Sequence, residues 1–218
     1  MKQWVICVLT MLAVPAFAEF DGRVVRAVNG VPTMMVGDLG LIDPLPAESV
    51  SERDRELFRL STTIFLEDLV AANFGADGSE SLEVARIRID YSDKVHVRFD
   101  QYLHGLRVMG AQLVVHADAS GQVYAINGHF VPAAKVPLPS AAVDAAILES
   151  ELASIGVLPA EPPELLYFHE AEKGVTSLAW RVRVQGVVDG RAFDDDVYID
   201  ARSFQLLLRL WRPRASSL

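Results

Sequence analysis

Three prolines close together divide the sequence into two halves that show the same order of patterns. Pro132, Pro137 and Pro139 cannot lie inside a helix, because proline lacks a backbone N–H and its ring clashes with the preceding turn. On each side of them, a stretch with helical spacing of apolar residues precedes several stretches in which apolar and polar residues alternate. We therefore predict a proline-rich linker at 132–139 between two units of one kind.

The first unit, residues 51–131, is predicted to begin with a helix from Ser51 to about Phe74. Leu57, Leu60 and Ile64 recur at the three- and four-residue steps that are typical of an apolar line along a helix. Ala71 continues that line, and Phe58, Phe65 and Leu69 lie on the adjoining one. Alternation then predicts four strands, at 84–89, 95–99, 113–117 and 123–130.

The second unit, residues 140–210, repeats this order. Ser140 is a suitable N-cap and Gly156 a suitable residue after the helix end, with an apolar stripe between them at Val143, Ile147, Leu148, Leu152 and Ile155. Four more strands are predicted, at 164–169, 178–185, 196–200 and 204–210. The fold class is therefore α+β, with two successive units in which a helix covers a four-stranded antiparallel sheet, a cystatin-like arrangement.

The N-terminus predicts export. Residues 1–18 combine Lys2, a short apolar stretch and the Ala16-Phe17-Ala18 pattern that signal peptidase cleaves, so we expect cleavage after Ala18. Residues 19–50 are then an N-terminal extension. Because the apolar stretch is too short to span a bilayer, we expect a periplasmic or secreted protein without membrane insertion.

The charge balance makes a nucleic-acid partner improbable. The chain has 20 Lys and Arg residues against 29 Asp and Glu residues, a formal net charge of −9. A polyanion would be repelled by this overall field.

The histidines do not form a recognisable catalytic or metal-binding motif. His96 and His116 are expected to be neighbours across a sheet, which is at most half a metal site. His169-Glu170 begins like a zincin motif, but Lys173 stands where the second histidine would fall.

Asp194, Asp195 and Asp196 resemble part of a calcium loop, yet the glycine and the distal glutamate of an EF-hand are missing, so we predict a solvated turn. Phosphate-binding glycine loops and the nucleophile elbow are also missing from the sequence. We predict a protein that is not an enzyme and that needs no cofactor or metal.

A dense motif in the first unit supports a family resemblance. Residues 95–132 follow the pattern His-x-Arg-Phe-x-Gln-x-x-x-Gly-x-x-Val-x-Gly, then a Val-Val-His strand, and Asn-Gly before a Phe-Val-Pro exit. This segment resembles the fungalysin/thermolysin propeptide (FTP) module. Position by position, the resemblance assigns the family's characteristic residues to His96, Arg98, Phe99, Gln101, Gly105, Val108, Gly110, Gly121, Asn127 and Gly128. Residues 140–210 resemble the PepSY module that follows it in those propeptides.

In that family the two modules precede a zinc protease domain, assist its folding and block its active site. The resemblance implies a secreted thermolysin-like metalloprotease as the partner, bound in trans by a propeptide-like inhibitor or folding chaperone. The HExxH zinc motif does not occur in these 218 residues, so we expect no protease activity from them. Two alternatives stay open: an exported non-enzymatic binding module with no protease partner, and the pro-region of a truncated protease precursor.

The C-terminal segment is the candidate contact with that protease. After Asp200 the sequence has no further acidic residue, and arginines accumulate towards a basic tail at 211–218. We expect the protease cleft to be approached by Leu210, Trp211, Arg212 and Pro213. A last strand with a solvated end is the simpler interpretation, and the sheet surface that carries His96 and Arg98 is the alternative contact.

Overall fold

The structure is a computed structural model that describes residues 21–45, 51–188 and 191–212. The predicted signal peptide and its cleavage site lie outside these residues, and so does Pro213 of the predicted protease contact.

Among the described residues before the proline-rich segment, the structure has one helix and six strands. In chain order these are β1 (Asp21–Val28), β2 (Val31–Asp38), α1 (Glu52–Asn73), β3 (Glu80–Ile89), β4 (Val95–Leu103), β5 (Leu106–Ala117) and β6 (Val123–Gly128). All neighbours are antiparallel, in the order β3-β4-β5-β6-β2-β1.

The part after the proline-rich segment contains α2 (Ala145–Ser154), β7 (Glu164–Glu170), β8 (Val175–Val188), β9 (Arg191–Asp200) and β10 (Leu206–Trp211). These four strands pair antiparallel in chain order. The predicted α+β class is therefore confirmed, with few helices and a large mixed sheet.

The arrangement differs from two four-stranded sheets in two ways. A hairpin formed by β1 and β2 extends the first sheet beyond β6, within the region predicted only as an N-terminal extension. In addition, β5 pairs in parallel with β7 at Val108–Tyr167 and Met109–Phe168, so the described strands form one connected sheet.

Helix α1 buries the adjoining line of apolar residues rather than the line of Leu57, Leu60 and Ile64. Ser51 caps its start, accepting a hydrogen bond from the backbone N–H of Asp54. Leu57, Leu60 and Ile64 are about half exposed, and the buried line is Phe58, Thr62, Leu66, Leu69 and Val70. Both lines have helical spacing, so the sequence pattern alone could not separate them. Burial of the polar Thr62 is tolerated because its hydroxyl donates to the carbonyl oxygen of Phe58, 2.7 Å away.

Helix α2 starts later than predicted. Its N-cap is Asp144, whose carboxylate accepts a hydrogen bond from the N–H of Ala146, and Ser140 lies in a separate 3-10 turn. Leu148 and Leu152 are its buried residues, whereas Ile147 and Ile155, which the predicted stripe included, are exposed. The predicted helix was too long because Ser140 follows Pro139 in a turn that ends before Asp144.

One core cluster lies beneath each helix, and a smaller third cluster, Leu166, Phe168, Ala179 and Tyr198, lies on the face of β7 to β9 that points away from α2. The first packs α1 against β2 to β6, with Leu66, Val97, Phe99 and Val115 at its centre. The second lies between α2 and β7 to β9 and includes Val108 from β5.

The approach of β5 to β7 depends on Gly110. This residue has a φ of +90°, and a Cβ atom placed on it would lie 2.5 Å from the carbonyl oxygen of His169 in β7. A side chain here would be strained by the backbone conformation and would also force the two strands apart.

Replacing Gly110 by alanine should therefore lower the free energy of unfolding by about 3 kcal/mol. Gly75→Ala is the matched control, because Gly75 has a φ of +76° but no heavy atom within 4 Å of the added Cβ. The control should lose only about 1 kcal/mol. Urea unfolding followed by circular dichroism measures both values, and equal losses would show that contact with β7 is not the constraint.

Candidate functional site

The outer face of β3, β4 and β5 is the candidate site. Alternate residues of β4 point in opposite directions, so that Val95, Val97 and Phe99 are buried under α1 while His96 and Arg98 lie on the other face. A depression of ≈ 280 Å³ on this face is lined by Arg86, Arg88, His96, Arg98, Val114 and His116. We call it the histidine–arginine face.

The strand register places basic side chains opposite one another on this face. Arg86 is paired with Arg98, and Arg88 with His96. Like charges directly opposite each other destabilise a sheet. Within the described residues, no carboxylate oxygen lies within 4.0 Å of the guanidinium groups of Arg86, Arg88 or Arg98.

The two histidines belong to a hydrogen-bonded chain across three strands. The predicted cross-strand neighbours His96 and His116 are confirmed, with 2.7 Å between their Nδ1 atoms. His96 Nε2 lies 3.2 Å from Oδ2 of Asp90, and His116 Nε2 bonds Oδ1 of Asn127 on β6. The chain therefore runs from Asp90 through both imidazoles to Asn127.

This geometry links the orientation of Asn127 to the hydrogen bond between the two imidazoles. With Asn127 Oδ1 as the acceptor, His116 donates from Nε2 and accepts at Nδ1 from Nδ1 of His96. A proton added to Nδ1 of His116 in this arrangement would set two N–H groups against each other across the 2.7 Å contact.

Burial and neighbouring charges shift the ionisation of these groups. Burial lowers the pKa of His116, the hydrogen bond to Asn127 opposes that shift, and the charge of His96 adds to it. The hydrogen bond from His96 lowers the pKa of Asp90. In the described ranges, no group of three or more His, Cys, Asp or Glu side chains is placed to hold a metal ion.

The other predicted motif residues do not reach this face. Phe99 and Val108 are buried in the two cores, and Gly105 lies in the turn between β4 and β5. Gln101 is buried and holds the backbone of Val131, donating to its carbonyl oxygen at 2.7 Å and accepting from its N–H at 2.9 Å.

Gly110 and Gly128 allow close backbone approach. At Gly128 a Cβ atom would lie 1.9 Å from the carbonyl oxygen of Gln112. Gly121, which the motif also includes, is crowded by the carbonyl oxygen of Ile42 in the same way. Most residues of the motif therefore maintain the fold. Three of them, His96, Arg98 and Asn127, lie on or beside the outer face instead.

The predicted protease contact lies on the edge strand β10. Leu210 and Trp211 are its last two residues, so they point to opposite faces of the sheet. Trp211 is 70% exposed and Leu210 is 38% exposed. Arg212 follows the strand, and its Nε lies 3.6 Å from Oδ2 of Asp196.

The three consecutive aspartates do not form the predicted turn. They lie within β9, where Asp194 and Asp196 pair with Arg183 and Arg181 of β8 at 2.8 Å and 3.0 Å. The hydrogen bond from Arg183 lowers the pKa of Asp194 to about 2. Asp195 is buried on the opposite face and pairs with Arg209. Cross-strand arginines therefore allow an acidic run to be part of a strand, which the run alone did not indicate.

A second concave surface lies beside Trp211. A groove of ≈ 590 Å³ runs between the end of α2 and the sheet of β8 to β10, and its lining includes Ile155, Leu158, Val187, Leu206 and Arg209. Trp211 lies two residues beyond Arg209 and therefore on the same face of β10.

Comparisons with known proteins support the propeptide resemblance in the first unit. Residues 80–130 match the family model described as the Fungalysin/Thermolysin Propeptide Motif. No curated protein matches the chain. Among solved structures, the Bacillus megaterium YpeB C-terminal domain shares 15% identity with a TM-score of 0.39, over 84% of this chain and 73% of that one.

The chain thus carries a motif of thermolysin-type propeptides over β3 to β6. None of the described helices is both long enough and apolar enough to cross a bilayer.

Protonation of His116 should destabilise the fold. Its folded-state pKa lies below the ordinary value of 6.5, so the unfolded chain binds more protons between the two values. The stability contributed by neutral His116 is present above 6.5 and is lost as the pH falls through the folded-state pKa. His116→Asn should therefore make the free energy of unfolding less dependent on pH between about 7.5 and about 5.

The measurement is urea unfolding at several pH values. The control is His104→Asn, because His104 is exposed in a turn with a φ of +50° that asparagine also adopts. Burial also lowers the pKa of His169, so some pH dependence should persist in every variant. If the free energy of unfolding depended on pH in the same way in His116→Asn, His104→Asn and the unmodified protein, this pH dependence would not be due to His116.

Proposed function

We propose that this protein binds a secreted thermolysin-like zinc metalloprotease in trans and acts as its inhibitor, its folding chaperone, or both. The observation that carries the proposal is the match of residues 80–130 to the fungalysin/thermolysin propeptide motif. Propeptides of this type act on a protease by binding rather than by chemistry of their own.

Binding alone is sufficient for both activities. A protein that binds the folded protease more tightly than its unfolded chain stabilises the folded state, by about 2.7 kcal/mol when present at a hundred times its dissociation constant. The same complex inhibits if the bound surface covers the cleft and excludes substrate.

The domain organisation belongs to this proposal. We infer an FTP-like domain at 51–131 and a PepSY-like domain at 140–210, joined by the segment 132–139. The separate core clusters beneath α1 and α2 support two domains, although β5 contributes to both. Cleavage after Ala18 would release the mature form, residues 19–218, which is the form to test.

Trp211 is the proposed anchor on the protease. Exposed tryptophan is the residue type that most often dominates interface energetics, and this one lies on the same face of β10 as the apolar groove. Leu210 points to the other face, so we assign the apolar contact to Trp211 alone. Arg212 and Pro213 would follow it towards the cleft.

The experiment is an activity titration of a purified thermolysin-like protease, ideally from the same organism, with mature 19–218 protein. Inhibition predicts a stoichiometric loss of activity while the added protein stays intact on a gel. Chaperone action predicts a higher yield of active protease when the denatured protease is refolded in its presence. If neither occurs, the proposal is wrong and an exported binding module without a protease partner becomes the better account.

Within this proposal, Trp211→Ala should weaken inhibition at least tenfold, or about 1.4 kcal/mol. Tyr91→Ala is the matched control, because Tyr91 is 99% exposed in the turn between β3 and β4. It removes an exposed aromatic side chain from a distant part of the sheet. The measurement is the inhibition constant of each variant. Equal constants would show that the contact with the protease does not lie on β10.

A further inference from the structure

The free edge of β3 borders the histidine–arginine face. Within the described residues β3 pairs only with β4, so one side of its backbone has no neighbouring strand. An unpaired edge of this kind is a template for a strand from another chain. The pairing of β3 with β4 is interrupted between Val84 and Arg86 and is regular from Arg86 to Ile89.

In this regular segment, basic and apolar side chains alternate between the two faces of the sheet. Arg86 and Arg88 are exposed on the outer face, where they line the depression. Ile87 packs at the margin of the first core, and Ile89 is 42% exposed on the same side as Ile87. A strand added to this edge would therefore meet cations on one face and apolar surface on the other.

The charges on the outer face point to acidic groups in the added strand. Arg86, Arg88 and Arg98 have no carboxylate within 4.0 Å in the described part of the chain, although the whole protein carries a net charge of −9. Other arginines of the sheet are paired, as Arg181 and Arg183 are with Asp196 and Asp194. The repulsion between Arg86 and Arg98 across the strands would be relieved by carboxylates from outside.

We propose that the edge of β3 from Arg86 to Ile89 binds an extended segment of a partner protein in which acidic and apolar residues alternate. The segment pairs with β3 through its backbone, its carboxylates lie over Arg86 and Arg88, and its apolar side chains lie beside Ile87 and Ile89. Arg98, on the neighbouring strand β4, adds a further positive charge for these carboxylates. The inference does not depend on the partner being a protease.

Two features favour a peptide over a nucleic acid or a sulfated polysaccharide. Only a peptide supplies backbone N–H and C=O groups to an open strand edge. A long polyanion would also be repelled by the net charge of the protein outside this face.

The probe is a fluorescently labelled peptide of alternating glutamate and valine, with binding followed by fluorescence anisotropy. The unmodified protein should bind it at least tenfold more tightly than a glutamine–valine peptide of the same length. Arg86→Gln combined with Arg88→Gln should reduce the affinity at least tenfold. Arg55→Gln combined with Arg59→Gln is the matched control, since it removes the same charge from the exposed side of α1 and should leave affinity within about twofold.

A second peptide tests the strand pairing itself. Methylation of alternate backbone nitrogens keeps every carboxylate but removes the N–H donors on one edge, so it should abolish binding when those donors face β3. Two peptides, methylated on opposite edges, cover both orientations. The proposal would be overturned if both methylated peptides bound like the parent peptide, if the control variant lost as much affinity, or if a heparin fragment bound more tightly than the glutamate–valine peptide.

Discussion

The parallel contact between β5 and β7 is the interaction on which the rest of the structure depends. It is the pairing that joins strands before and after the proline-rich segment in the described part of the chain. It covers only Val108–Tyr167 and Met109–Phe168, and it exists because Gly110 has no side chain to oppose the carbonyl oxygen of His169. Val108 belongs to the first unit in sequence, but because of this contact its side chain packs in the second core.

A glycine in a strand interior weakens the strand unless close approach requires it. In this protein Gly110 and Gly128 both lie on strands where an added Cβ would collide with a neighbouring carbonyl oxygen. The family motif therefore contains residues with two different purposes. Its glycines and Gln101 permit or hold backbone contacts, whereas His96, Arg98 and Asn127 lie where a ligand can reach them.

The histidine–arginine face lies on β3 to β5 and the second surface on β8 to β10, and β3 and β10 form two separate edges of the branched sheet. The first surface carries arginines that have no carboxylate partner within the described residues, and the second combines an exposed tryptophan with an apolar groove. Charge complementarity chiefly affects the rate and specificity of association, while a buried aromatic anchor contributes most to affinity.

Local sequence patterns were sufficient to predict the α+β class, the positions of both helices to within a few residues, eight of the ten strands found in the described residues, and the propeptide motif. These features follow from local periodicity and from residue types at fixed spacing, which do not need a partner elsewhere in the chain. The hairpin of β1 and β2 was missed although Asn29 and Gly30, both with positive φ, form a typical two-residue turn. The Asn-Gly pair is therefore a sequence signal for this hairpin.

Which of the two equally spaced lines on α1 is buried depends on how Phe58 and Leu66 fit against the sheet, and this follows from the packing of the whole chain. The tertiary structure also placed Asp194 and Asp196 in a strand, since their charges are balanced by arginines of β8 that a linear pattern does not connect to them. The hydrogen-bonded chain from Asp90 to Asn127 required the register of three strands to be known. Each of these depends on contacts between residues distant in sequence, and for that reason local pattern could not determine them.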